Sequence, residues 1–207
     1  MPESAVAVRA RVLIDKLQPQ CAAFLGTVSR GDPPLAGQAA AYIEVAPGMA
    51  INLLTDVILK SGNVRPGMQV VERQYGLLEV HAPSPNDVTA ALETGLGSLG
   101  ASVDELMAPE IVSSNVIHSV DPYQAQLINR IRHGGLVLPG DSLFVLEVEP
   151  APFAALAANE AEKRTDVTIC EFRSYGRTGN LYVSGDADST QSAQEVCAEV
   201  LGAGVPA

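Results

Sequence analysis

The chain repeats itself. Glu44-Val45-x-Pro47 returns 103 residues later as Glu147-Val148-x-Pro150. The same spacing links Ile14 to Ile117, Pro19 to Pro122, Gly31 to Gly134, Leu35 to Leu138, Gly37 to Gly140, Lys60 to Lys163 and Val64 to Val167. From Ile14 to Val64, twelve of fifty-one positions are identical at that spacing, and apolar exchanges such as Leu25 for Ile128, Val28 for Ile131 and Ile43 for Leu146 add to them. Two tandem copies of one domain are therefore expected, residues 1–103 and 104–207. Two fused copies do in one polypeptide what a homodimer does, and they are free to diverge.

Each copy has room for one core of its own. The chain is 47% apolar with only 4% aromatic residues and no Trp, so Ala, Val, Leu and Ile must build thin, regular α/β layers. A net charge of −11 argues against nucleic acid and anionic membranes as partners. Cys21, Cys170 and Cys197 form no CxxC pair and read as reduced, buried residues of a cytosolic protein. No apolar run approaches the ~18 residues of a membrane helix, and no signal-peptide pattern opens the chain. A soluble, intracellular protein is expected.

Hydrophobic periodicity predicts, in copy one, a strand over 7–14, a helix over 18–29, a strand over 39–46, a helix over 48–61, two strands over 68–72 and 77–81 joined by a turn, and a helix over 87–99. In copy two it predicts an extended segment over 115–120, a helix over 122–132, a strand over 142–149, a helix over 153–164, strands over 167–173 and 180–184, and a helix over 190–201. Matching Arg73 with Arg173, Tyr75 with Tyr175 and Gly76 with Gly176 shortens the spacing there to 100. That match implies three extra residues in copy one near Arg65-Pro66-Gly67 and a compensating insertion in copy two near Arg177-Thr178-Gly179. The linker is expected around residues 100–109.

The segments Glu44-Val-Ala-Pro-Gly, Asp56 to Val64 and Ala158 to Val167, with the Val183-Ser-Gly-Asp186 turn, resemble bacterial microcompartment shell domains. Each copy carries an extra strand and helix ahead of the strand that begins an ordinary shell domain. The chain thereby resembles the circularly permuted tandem class, which includes the gated trimer of the carboxysome shell. Ile14-Asp-Lys-Leu-Gln-Pro-Gln20, Gly26-Thr-Val-Ser-Arg-Gly31 and Val71-Glu-Arg-x-Tyr-Gly76 carry that likeness. The resemblance implies an α/β (α+β) fold of two permuted shell domains, each an antiparallel sheet with packed helices. It implies a homotrimer forming a flat pseudohexamer, two such trimers stacked face to face, other shell proteins as neighbours, and passage of small metabolites or cofactors through a gated pore.

Residue roles follow from the same resemblance. Glu72 and Arg73 match the gate of the permuted class, against the plain reading of a solvated turn whose ion pair contributes ~0–1 kcal/mol. Phe172 and Arg173, aligned with them in copy two, are expected around the same opening or as core and turn residues. Lys60 and Lys163 match the edge lysine that meets a neighbouring tile, and both also suit a helix C-terminus by ~0.3–1 kcal/mol. His81, His118 and His133 have no metal-ligand spacing, no catalytic constellation is visible, and no metal or cofactor is expected. Two alternatives stand beside the shell reading: a small-molecule-binding regulator of duplicated α/β domains, and an enzyme using Glu72 as acid and Arg73 as anion binder.

Overall fold

The computed structural model describes residues 6–99 and 106–202. The expected boundary between residues 103 and 104 lies outside the described residues. Copy one runs β1 (Ala7–Ile14), α1 (Pro19–Val28), β2 (Ala39–Ala46), α2 (Ile51–Ser61), β3 (Arg65–Glu72), β4 (Tyr75–Ala82) and α3 (Pro85–Ser98). Copy two repeats the order as β5 (Glu110–Ile117), α4 (Pro122–Ile131), β6 (Ser142–Glu149), α5 (Phe153–Arg164), β7 (Thr168–Arg173), β8 (Gly179–Gly185) and α6 (Ala187–Gly202). Both sheets are four-stranded and antiparallel, ordered β1-β2-β4-β3 and β5-β6-β8-β7. Pro19 and Pro122 open their helices, where a missing N–H costs nothing. The repeated Pro47 and Pro150 both follow cis peptide bonds.

The ladders correct one expectation. β1 slips register between Val8 and Ala10, as β5 does between Ile111 and Ser113. β3 slips between Pro66 and Met68, as β7 does between Ile169 and Glu171. All four breaks keep the 103-residue spacing, so the hairpins carry no compensating indels. The Arg65-Pro66-Gly67 stretch is not an inserted loop. It is the bulged start of β3, where the Gly67 N–H donates to the buried Glu79 carboxylate at 2.9 Å. A Cβ on Gly67 would sit 2.2 Å from Glu79 Oε2, so the bulge requires glycine. The structural counterpart of Glu72 is therefore Tyr175, and that of Arg73 is Gly176. β5 also starts five residues before the expected extended segment, and α6 starts at Ala187.

Each sheet buries one face under its own two helices, α2 and α3 or α5 and α6. The largest core cluster crosses between copies. It joins Ala10, Val12, Ile14, Cys21, Phe24, Leu25 and Tyr42 of copy one to the Ala-rich α5 and to Phe172 of copy two. Small alanines let α5 bury both its faces, with Ala154, Ala155, Ala157, Ala158 and Ala161 all buried. The rings of Phe24 and Phe172 stack at 4.2 Å. Cys21, Cys170 and Cys197 are free and buried, and burial pushes the Cys197 thiol up to about 12.

Copy two also caps copy one. Glu162 on α5 accepts the N–H of Gln20 at 2.7 Å and of Cys21 at 2.8 Å, both in the first turn of α1. Asn159 accepts the Gln18 N–H, and the Gln20 side chain bridges Val167 and Ile169. These contacts satisfy orphan donors and place a carboxylate at the positive end of the helix. The α4 helix of copy two is capped by its own Asp121 instead. Glu162→Ala is expected to lower stability by about 1–2 kcal/mol, whereas Glu160→Ala on the same helix is expected to change it by less than about 0.5 kcal/mol. Chemical denaturation of both variants checks this.

Candidate functional site: a cleft between the two hairpins

The turn joining β3 to β4 consists of Arg73 and Gln74, because Glu72 still pairs with Tyr75. A turn this tight puts Arg73 at φ 53°, a left-handed conformation that disfavours a side chain. Copy two places Gly176 at the equivalent position with φ 100°. The β7–β8 turn lies opposite the β3–β4 turn. A Cβ on Gly176 would come within 3.6 Å of Glu72 Oε2. The two turns wall a cleft of about 560 Å3 lined by Glu72, Arg73, Gln74, Tyr75, Glu149, Arg173, Gly176, Arg177 and Thr178. Three arginines against two glutamates make the cleft cationic on a chain whose net charge is −11.

The structure thus brings Glu72, Arg73 and Arg173 together and adds Arg177, which stands in the turn where copy one has Gln74. Phe172 is not with them. Strand alternation turns it into the inter-copy core against Phe24, so the core reading holds for that residue and the pore-periphery reading does not. Among the described residues, Glu72, Arg73 and Arg173 form no ion pair within the chain.

Behind the cleft lies an ionic triad that the sequence did not single out. Arg9 on β1 donates to Glu44 on β2 at 2.5 Å and to Glu149 at the end of β6 at 3.0 Å. Its guanidinium also lies 3.7 Å from the Tyr75 ring centroid, a cation–π contact. Glu149 reaches forward to Arg177 at 3.6 Å. Glu44 is buried, and no hydrogen-bond partner among the described residues reaches its Oε2. Burial pushes its carboxyl up from 4.5 to about 7; Arg9 opposes the rise and Glu149 adds to it. Glu44 has the shared Arg9 guanidinium against it, while Glu149 also meets Arg177, so the buried carboxyl is the less compensated of the two.

Lys60 and Lys163 end α2 and α5 as expected, exposed and paired with Asp56 at 2.7 Å and Glu160 at 3.1 Å. His81 is buried against Glu79 at 3.1 Å, at the far end of the sheet from the cleft. No cluster of metal-ligating residues occurs among the described residues, and no helix among them is long and apolar enough to cross a membrane.

Comparison with known proteins decides what this duplicated scaffold is. Residues 8–105 match the family described as the CsoS1D N-terminal domain. The chain is 46% identical over 181 residues to the carboxysome shell protein CcmP of Synechococcus elongatus, covering 87% of this chain and 85% of that protein. It is 41% identical over 191 residues to the carboxysome shell protein CsoS1D of Hydrogenovibrio crunogenus, covering 91% and 93%. The chain belongs to this shell protein family. Among solved structures, the fused permuted hexameric shell protein MSM0275 of the RMM microcompartment superposes with a TM-score of 0.91 at 46% identity, over 95% of this chain and 97% of that one. The double ringed trimeric shell protein MSM0271 gives 0.90 at 36% identity, over 96% and 97%. This is a microcompartment shell protein of the permuted, tandem-domain class, a structural family rather than a catalytic one, and the regulator and enzyme alternatives give way to it.

Two outcomes test the local physics. Arg73→Gly should relieve the left-handed turn and raise stability by about 1 kcal/mol, whereas Arg73→Val should lower it; thermal denaturation of the two variants separates them. Because the folded Glu44 carboxyl titrates above its unfolded value, its favourable contribution is complete below pH 4.5 and is lost as pH rises through about 7. Glu44→Gln should therefore remove about 3 kcal/mol of the fall in stability between pH 5 and pH 8, measured as the difference from wild type in urea titrations.

Proposed function

We propose that three copies of this chain close into a flat ring of six domains, with Glu72 and Arg73 of each chain gating a central opening. One observation carries the reading: the chain contains the joint once, buried, and its two halves once more, uncovered. Within the chain, α1 packs on α5. The α4 counterpart of α1 presents Tyr123, Leu127 and Ile131, one helical stripe, at 78%, 67% and 58% exposure. The α2 helix, counterpart of α5, together with the turn before it exposes Met49, Leu53 and Leu59. Seating α4 of one chain on α2 of the next repeats the internal joint, and a heterologous contact of that kind closes into a ring when its rotation divides the circle. The relative MSM0271 is itself described as a double ringed trimer, which supports threefold closure and face-to-face stacking of two rings.

In such a ring the paired hairpins of each chain come to the axis. Glu72 and Arg73, without ion-pair partners among the described residues of the chain, then find them on neighbouring chains. Carboxylates and guanidiniums crossing the axis close the opening, and turning outward to other partners opens it, which requires only a few kcal/mol between states. The surplus of arginine favours small anionic metabolites as the permeants. Lys60 and Lys163, exposed at helix ends, serve as contacts to neighbouring tiles.

Leu127→Asp is expected to convert the assembly to monomers in analytical ultracentrifugation while the far-ultraviolet circular dichroism stays unchanged. A ring that survives that substitution contradicts the joint. Glu72→Gln is expected to leave the trimer intact and to change the ratio of open to closed openings seen by electron cryomicroscopy; a dissociated trimer would make Glu72 an interface residue instead.

A further inference from the structure

The Glu44–Arg9–Glu149 triad has no counterpart in copy two. Arg9 corresponds by the repeat to Val112, which is exposed, and Glu149 corresponds to Ala46. Glu147, the counterpart of Glu44, accepts from Thr178 at 2.7 Å rather than from a guanidinium. The ionic link is made inside the chain, and the copy-two counterparts of its residues hold no guanidinium to repeat it. It touches both hairpins: Arg9 lies over Tyr75, the residue that follows the Arg73-Gln74 turn, and Glu149 meets Arg177 in the opposing turn.

We propose that Arg9 is a positioning residue for the gate, holding the Tyr75 end of the copy-one hairpin against copy two, and that protonation of Glu44 loosens this hold. The proposal rests on the gate reading above. Its geometry is that of one planar fork shared by two carboxylates from different domains, with an aromatic face against it. When both carboxylates are ionised the triad carries one net negative charge, and Nη1 is pinned to copy one by Glu44. When Glu44 is neutral the triad carries no net charge, Glu149 is the remaining charged partner, and the guanidinium is drawn toward copy two and away from the Tyr75 ring. The hairpin bearing Glu72 and Arg73 then gains freedom at its base.

The groups acting on Glu44 can be enumerated. They are Arg9 from β1 and Glu149 from β6, both of which bear on its titration. Tyr75 from β4 and Arg177 from the β7–β8 turn act through those two. Tyr42, two residues earlier on the same face of β2, is buried with no partner for its hydroxyl among the described residues and carries no charge. Among the described residues no other charged group bears on the buried carboxyl, whose unpartnered Oε2 is the atom that takes the proton.

Electron cryomicroscopy of assembled particles at pH 6 and pH 8, sorted by the position of residues 72–75, tests this. Wild type is expected to hold one hairpin position at pH 8 and to populate a second at pH 6, the ratio changing by up to about tenfold for one linked proton. Glu44→Gln should show the pH 6 distribution at both pH values. Glu149→Gln should do the opposite, because the remaining carboxylate then pairs one-to-one with Arg9, stays ionised and holds the pH 8 position throughout. A wild-type distribution that does not change with pH, or a Glu44→Gln variant that still titrates like wild type, overturns the proposal. If the hairpins respond as expected but surround no axial opening, the gate reading fails while the role of Arg9 in positioning the hairpin stands.

Discussion

Everything in this molecule depends on the joint between its two copies. Copy one does not close its own outer sheet face; it hands that face and α1 to copy two. The Ala-rich α5 lies flat enough to be buried on both sides, Phe24 stacks on Phe172, and Glu162 supplies the acceptors that the first turn of α1 lacks. Orphan N–H groups and apolar surface are thus satisfied by the same helix. A chain that makes this joint internally is left with the same two surfaces exposed at its far ends, on α4 and α2. Unmatched halves of a joint call for a second chain, which is why a duplicated fold of this kind leads toward a ring rather than a monomer.

Two of the differences between the copies fall where a ring would need the copies to differ. At the hairpins, copy one carries Glu72 and a strained Arg73 where copy two carries Tyr175 and a relaxed Gly176. A left-handed arginine is kept against a cost of about 1 kcal/mol, and strain of that kind persists where a side chain is required at a turn. At the joint, copy one places Arg9 between two carboxylates while copy two has Val112. The internal joint therefore carries an ionic link that the copy-two counterparts of its residues do not supply. Two identical domains could not have made that distinction.

The fold was largely legible in the sequence, for physical reasons. Proline and glycine are fixed by backbone geometry rather than by neighbours, so Pro19, Gly37 and Pro47 survived in both copies and set the repeat. Alternation marked β1, a continuous run of small and apolar residues marked β2 as a buried strand, and Pro122 marked the start of α4. The hairpin alignment failed because it matched Arg-x-Tyr-Gly by letter, whereas register is set by the bulges at Gly67 and between Ile169 and Glu171. Phe172 was misplaced by that same match. Arg9 left no local signal: it is one of two arginines, with Arg11, in an alternating strand, and its partners lie 35 and 140 positions away. The reach of Arg177 into the cleft was equally invisible until the turn was counted.

A density map of the assembled particle is the most direct test of the ring. The account predicts three chains in which α4 of each superposes on α2 of the next as α1 superposes on α5 within the chain, with residues 72 and 73 nearest the axis. A particle in which Tyr123, Leu127 and Ile131 face solvent, or in which the hairpins point to its rim, would contradict it.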